Sequence, residues 1–299
     1  MKVLVDLNSK VDSFQIKEVH KQRLVNEFPE YNFEFAESYK EFKTKVAEAN
    51  SALVWLFPEH LFSQATNLTR LYTPAAGKDW VAVDPSGKVK THFSCFHGEI
   101  IAESFLSMLL YFNNQLKTTV ENQCSKVWDR NAFPGRRLLR NQTLLIIGYG
   151  SIGQACAKAA LSLGMKVTGV SRSKSGNNEV SILSSENIDE NIGAFDHVLN
   201  LLPGGEETLQ FVDAKLISSM KSTACFYNFG RGTTVDEKAL AAALKTGKIA
   251  YAGLDVTEVE PLPAYSPLWI LKNVLMTPHS SCCYDDYLHL FIDELHGKL

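Results

Sequence analysis

The segment from residue 144 to residue 173 constrains the fold more than any other part of the chain. It begins with the apolar run Leu144-Leu145-Ile146-Ile147 and passes through Gly148-Tyr149-Gly150-Ser151-Ile152-Gly153. It continues into a helix-compatible stretch and a second strand, MKVTGV (165–170). A glycine pattern after a strand and at the opening of a helix is the pyrophosphate loop of a dinucleotide-binding βαβ unit. The first glycine permits the tight turn, the second lets phosphate approach the backbone, and the third lets the helix pack on the strand. The N-terminus of the helix then offers free N–H groups to negative charge. Such units usually carry an acid about 20 positions further on, which holds the adenosine ribose. Here Ser171, Arg172, Ser173 and Lys174 stand in that place. An acid would repel a 2′-phosphate, whereas a guanidinium forms charge-assisted bidentate bonds to one and stacks on adenine. The expected cofactor is therefore NADP(H) in preference to NAD(H); the plain alternative is a solvated basic loop.

The rest of the chain sets the frame. Its 299 residues, 45% hydrophobic and 21% charged, are those of a globular protein with room for two domains. A net charge of −3 offers no basic surplus for nucleic acid. The start, MKVLVDLNSK, lacks the apolar region of a signal peptide, and no stretch reaches the roughly 18 apolar residues of a membrane span. A cytoplasmic protein with no membrane partner is expected. The cysteines Cys95, Cys124, Cys156, Cys225, Cys282 and Cys283 form no CxxC pair, so free thiols and no metal site are expected.

Strands and helices alternate twice. In the first half, strands are expected over 1–7, 31–38, 51–57 and 69–73, and helices over 13–28, 39–49 and 59–66. A long helix over 97–116 and a turn-rich stretch over 125–143 separate this half from the glycine loop. Beyond the loop, strands are expected at 197–203, 223–229, 250–256 and 274–279, with helices over 209–219 and 234–247. Alternation of this kind gives parallel sheets covered by helices. The fold class is α/β: two Rossmann-like domains, one flavodoxin-like and one NAD(P)-binding, with parallel sheets and a cleft between them. The expected division is 1–95 plus 281–299 for a substrate-binding domain and 96–280 for the NAD(P)-binding domain.

Three strand ends carry chemistry. FYNFGRGTTVDEKAL (226–240) places Arg231 just after a strand, GLDVTEVEPLP (253–263) places Asp255, Glu258 and Glu260, and LMTPHSS (275–281) places His279. Ligands of parallel sheets bind outside the carboxyl ends of the strands. Taken singly, each of these residues is compatible with an ordinary surface position. Together, an arginine binds a carboxylate, a histidine moves a proton, and a glutamate holds the histidine protonated and oriented.

These stretches, with GYGSIGQACAKAALSLGMKV, NFGRGTTVDEKALAAALKTGKI and SPLWILKNVLMTPH, resemble the D-isomer-specific 2-hydroxyacid dehydrogenases over roughly residues 97–281. A weaker echo lies in LYTPAAGKDWV (71–81). Ser171-Arg172-Ser173 and the LVWLFP strand make the chain most similar to the NADPH-dependent glyoxylate and hydroxypyruvate reductases. The resemblance implies that Arg231 clamps a small 2-oxo acid, that His279 donates the proton to its carbonyl oxygen, and that Glu260, not Glu258, pairs with the histidine. It also implies that Asp255 binds the nicotinamide carboxamide, that Leu202, Pro203 and Phe229 line the cofactor, and that the backbone of Ala75, Ala76 and Gly77 receives the substrate carboxylate. Trp55 either closes the substrate pocket or is a core residue. The 97–116 helix is expected to form a homodimer interface.

The chain departs from the family pattern at Pro74-Ala75 and at Lys78, an added cation placed to serve a second acidic group. It departs again at Gly204-Gly205, at Cys282-Cys283, and at an end about 20 residues after His279, where relatives usually continue. Two alternatives to a 2-oxo acid reductase remain at this level: an NAD-dependent D-2-hydroxyacid dehydrogenase of another specificity, and a non-catalytic, dinucleotide-sensing protein like the corepressors that share the fold.

Overall fold

The computed structural model describes residues 1–172 and 179–299. The chain divides into two compact units, residues 1–97 with 282–299, and residues 98–281.

In the first unit the order is β1 (Lys2–Asp6), α1 (Glu18–Glu27), β2 (Asn32–Phe35), α2 (Tyr39–Lys45), β3 (Ser51–Val54), β4 (Arg70–Thr73) and β5 (Lys90–Phe93), with α-helices between the first three strands only. The strands form one parallel sheet of order β2-β1-β3-β4-β5. All four residues of β3 are buried, as expected of a strand covered on both faces. One core cluster gathers Leu4, Phe42, Val54, Phe57, Leu61 and Leu71. The C-terminal helix α9 (Tyr287–Leu295) completes this unit by burying Leu288, Phe291, Ile292 and Leu295. Helix α3 (His97–Asn113) begins with the unit's residue His97, and its remaining residues belong to the second unit.

The second unit continues with α4 (Leu116–Cys124), β6 (Thr143–Ile147), α5 (Ser151–Ser162), β7 (Lys166–Val170), β8 (Ser181–Leu183), α6 (Ile188–Asn191), β9 (His197–Asn200), α7 (Ala214–Ser219), β10 (Cys225–Asn228), α8 (Glu237–Lys245), β11 (Tyr251–Leu254) and β12 (Val274–Met276). Among the described residues its strands form a parallel sheet of order β12-β11-β10-β9-β6-β7-β8. Strand order reverses at β6, with β7 on one side and β9 on the other. That is the switch point where doubly wound sheets bind ligands.

One register row crosses the sheet through Met276, Leu254, Asn228, Asn200, Ile147, Val170 and Leu183. Because all strands run the same way, whatever follows this row emerges at one end of the sheet. Ile147 and Leu254 of this row, with Leu145, Val198, Phe226, Leu240 and Leu244, belong to the core.

Several elements differ from expectation. The helix expected over 59–66 is one 3-10 turn, Glu59–Leu61, and helix 209–219 is shortened to Ala214–Ser219. The helix expected over 97–116 ends at Asn113, and strands β5 and β8 and helices α4 and α6 have no counterpart in the sequence reading. Helix α4 buries no residue, and its apolar Leu116 and Val120 are exposed.

Candidate functional site

The glycine loop follows β6 directly. Gly148 has φ +94°, a conformation that favours glycine, and a Cβ there would stand 3.0 Å from the backbone of Leu201. Gly150 is the N-cap residue of α5, has no side-chain cap, and would meet nothing within 4 Å if it carried a Cβ. The twelve-residue helix therefore begins at an exposed Gly150-Ser151 edge with open space before it, which fits a dinucleotide pyrophosphate. Ile152 is half-buried, Gly153 is buried against β6, and the Tyr149 ring lies against Gly169.

At the end of β7, Ser171 is half-buried and Arg172 is exposed. The Arg172 guanidinium meets Glu207 Oε2 at 2.8 Å, with both side chains more than four-fifths exposed. The sequence shows no link between these residues, which lie on loops after different strands. Ser173, the remaining candidate in this stretch, lies outside the described residues.

Arg231 follows β10. Its loop is fixed from below by a buried network. Asn200 Nδ2 donates to Asn228 Oδ1 at 2.9 Å and to Thr234 Oγ1 at 2.7 Å, and Thr234 Oγ1 donates to the Arg231 carbonyl at 2.6 Å. Asn200, Asn228 and Thr234 are each at most 2% exposed. Gly232 lets this loop meet the one after β11: a Cβ on it would fall 1.9 Å from the Thr257 carbonyl oxygen. Arg231 itself is half-buried, and its Nη1 donates to the Gly230 carbonyl at 3.0 Å.

The loops after β11 and β12 bring the acid and the imidazole together. His279 Nδ1 lies 2.8 Å from Glu260 Oε2, and Glu260 Oε1 accepts from the Thr257 N–H at 3.1 Å. His279 takes φ +50°, a conformation unusual for a side-chain-bearing residue, and its N–H donates to the Asp255 carbonyl at 2.8 Å. The Asp255 carboxylate holds the rest of that loop, accepting from Thr277 Oγ1 at 2.6 Å, Ser280 N at 2.9 Å and Ser281 N at 3.2 Å. Sequence reasoning missed this clamp, although the hydroxyl-rich TPHSS run is its signal. Glu258 takes no part in the pair; its N–H donates to Glu237 Oε2 at 2.8 Å.

Leu202 is half-buried and Pro203 exposed after β9, and Phe229 is 8% exposed after β10. In the first unit, Ala75, Ala76 and Gly77 follow β4, with Ala75 N–H donating to Thr73 Oγ1 at 3.2 Å. Trp55 is 8% exposed, its indole N–H donates to the Phe14 carbonyl at 3.1 Å, and its ring packs beside Phe14, Trp80 and Tyr287.

Glycine loop, arginine and histidine–glutamate pair thus emerge from one end of one sheet. The family described as D-isomer specific 2-hydroxyacid dehydrogenase, NAD binding domain, matches residues 106–281, more than half of the chain. The chain belongs to this family. Its members are NAD(P)-dependent oxidoreductases.

Among curated proteins, the chain is 43% identical over 136 residues to a probable 2-ketogluconate reductase of Dictyostelium discoideum. That match covers 45% of this chain and spans only about two-fifths (41%) of the relative's length. It is 32% identical over 237 residues to glyoxylate/hydroxypyruvate reductase B of Citrobacter koseri, covering 74% of this chain and 72% of that protein. Among solved structures, the D-isomer specific 2-hydroxyacid dehydrogenase of Xanthobacter autotrophicus Py2, in complex with NADPH and MES, aligns with a TM-score of 0.83 at 27% identity. The alignment covers 99% of this chain and 95% of that one. Among the described residues no helix is long and apolar enough to cross a membrane, and no group of three or more His, Cys, Asp or Glu is placed to hold a metal ion.

Proposed function

We propose that the chain reduces a small 2-oxo acid of the glyoxylate or hydroxypyruvate type to the D-2-hydroxy acid, with NADP(H) preferred over NAD(H). The observation that carries this reading is the His279–Glu260 pair at 2.8 Å, three residues past β12, at the sheet end where Arg231 stands three residues past β10. When bound, the reduced nicotinamide supplies hydride to the 2-carbon of the acid.

The chain's residues supply the rest. Arg231 pairs with the substrate carboxylate and stabilises negative charge growing on the carbonyl oxygen. His279 delivers the proton to that oxygen, and Glu260 Oε2 orients its ring through Nδ1, leaving Nε2 as the working atom. The Asp255 clamp holds the His279 backbone, and contact of Asp255 with the nicotinamide carboxamide is a further part of the proposal. Ser151, Ile152, Leu202, Pro203 and Phe229 border the nucleotide. Ala75, Ala76 and Gly77 offer backbone N–H groups to the carboxylate. Residues 1–97 with 282–299 act as the substrate-binding domain, and residues 98–281 as the nucleotide-binding one.

Support for NADP(H) comes from Arg172. Its present partner Glu207 is exposed, and such surface pairs contribute only about 0–1 kcal/mol. A 2′-phosphate can therefore replace that carboxylate at little cost. The NADPH bound by the Xanthobacter relative agrees with this reading. We further infer a homodimer through the 97–116 helix in the cytoplasm. Much of the helix is interior, with Phe105 and Leu109 fully buried. Past Asn113, where α3 ends, the exposed apolar surface runs through Leu116 and Val120 of α4 and on to Val127, Trp128 and Leu138.

The deciding experiment follows NADPH oxidation with glyoxylate, hydroxypyruvate, pyruvate, phenylpyruvate and branched 2-oxo acids. Turnover on at least one is expected. No turnover on any, with nucleotide affinity retained, would replace this reading by a dinucleotide-sensing one.

A further inference from the structure

The loop of Ala75, Ala76 and Gly77 is held by a residue of the C-terminal helix, itself held by the first residue of α3. Tyr287, the first residue of α9, is 3% exposed, and its hydroxyl donates to the Pro74 carbonyl at 3.0 Å. The same oxygen lies 2.8 Å from Nε2 of His97, which is 4% exposed. A tyrosine has one proton to give and a carbonyl has none. With that proton on Pro74, Nε2–H of His97 must be the donor to Tyr287, and Nδ1 must carry the lone pair. Nδ1 is buried, and the carbonyls of Pro74 and Ser94 lie beside the ring. Burial keeps both members neutral: it pushes His97 down to about 4 against the pull of Glu294 and of the Pro74 and Ser94 carbonyls, and pushes the Tyr287 phenol well up.

The consequence reaches the loop through peptide geometry. In a trans peptide the N–H points opposite to the C=O. Tyr287 holds the Pro74 carbonyl while Thr73 Oγ1 holds the N–H of Ala75, so the plane between them is fixed on both sides. Ser94 N–H then holds the Ala75 carbonyl at 3.2 Å, which turns the N–H of Ala76 away from Ser94. Helix α9 is itself anchored at its far end, where Glu294 accepts from the N–H groups of Cys95 and Phe96 at 3.0 and 3.1 Å. The Tyr287 ring is wedged among Phe14, Phe96 and Trp55, with centroids 4.7, 5.0 and 5.8 Å away.

We propose that Tyr287, oriented by His97, is a positioning residue that sets the N–H groups of the 75–77 loop toward the carboxylate of the 2-oxo acid. The inference rests on the function proposed above and extends it to a relay, His97 to Tyr287 to Pro74. The specificity of the loop is therefore set partly by the C-terminal helix.

The test uses the full chain and the best acid of the panel. Tyr287→Phe keeps the ring packing and deletes the hydroxyl. KM for the acid is expected to rise about five- to tenfold, the worth of one hydrogen bond. The kcat should stay within about twofold, since proton delivery belongs to His279. Dinucleotide affinity should not change, and amide exchange at 75–77 should accelerate. His97→Leu should raise KM in the same direction, and His97→Gln, which retains a donor, should restore it. An unchanged KM in Tyr287→Phe, or a loss of kcat, KM and Tm together that His97→Gln does not spare, overturns the relay. A wild-type chain that reduces no acid overturns the proposed function instead, and the relay's purpose with it.

Discussion

Arg231 and His279 were legible as residues because an arginine after NFG and a histidine after TP each stand three positions beyond an apolar strand. Their replacement is the sharpest test of the site. Arg231→Ala or His279→Ala should lower kcat/KM by about 10²- to 10⁴-fold, the usual worth of a positioned proton donor or charge-stabilising group, with dinucleotide affinity within about twofold of wild type. Near-wild-type turnover in either variant would remove that residue from the chemistry. The ion pair at the end of β7 was not legible: Glu207 is 35 residues from Arg172 and belongs to a different loop. It carries a second test. Arg172→Ala should raise KM for NADPH about tenfold or more while leaving KM for NADH nearly unchanged. Glu207→Gln, which removes the carboxylate competing for the guanidinium, should tighten NADPH a fewfold. An equal response of both nucleotides would assign Arg172 to the surface. Trp55 shows the limit of reading single residues: a tryptophan on an apolar strand is the same letter whether it lines a pocket or fills a core.

Elements with strong periodicity were readable, and elements made by their neighbours were not. Strands β1, β3, β6, β9, β10 and β11 are runs of apolar residues bounded by turns, and burial on both faces is what such runs encode. Strand β5 (KTHF) and strand β8 (SIL) are short, and neither has a fully buried residue, so nothing in their composition separates them from loop. The Arg231 loop is an element-scale device as well. Its glycines are visible in the sequence, but the reason for them, Thr257 lying against Gly232, exists only once β10 and β11 are paired. Gly232→Ala must push two loops apart, because the nearest atoms are backbone. A loss of about 1–3 kcal/mol or more is expected. Because the displaced loops carry Arg231 and Glu260, kcat/KM should fall further than stability alone explains. Urea unfolding and steady-state kinetics on the same preparation check this; a variant with wild-type stability and turnover would show that the close approach does not govern the site.

At the scale of the whole chain, both units bury imidazoles that have no use for a proton. In the first unit His20 and His97 are each 4% exposed, and in the second His197 is 2% exposed. Each is pushed down to about 4, in every case chiefly by burial. For His20 the neighbouring His289, Lys17 and Arg23 add to the effect; for His97 and His197 the nearby Glu294 and Asp196 oppose it without prevailing.

The unfolded chain takes up these protons as pH falls through the ordinary histidine value near 6.5, and the folded chain does not until about 4. Between those limits the unfolded state binds more protons, so stability rises with pH, at up to about 1.4 kcal/mol per pH unit for each site. Stability conferred by keeping these rings neutral is complete above the window, drains away as pH drops through it, and changes no further through these groups below it.

His197 offers the cleanest dissection. Its Nε2 faces Gln142 Oε1 at 2.8 Å and its Nδ1 faces the Tyr227 hydroxyl at 3.1 Å, which a glutamine side chain can partly replace without a titrating group. Urea midpoints of the wild-type chain should therefore fall steeply between pH 7 and 5. In His197→Gln the midpoint should be lower at pH 7, while the fall on acidification becomes shallower by about one site's share. A midpoint flat across that range in the wild type, or one whose slope the substitution leaves unchanged, would mean that these imidazoles reach solvent in the folded protein and that the burial described for them does not hold in solution.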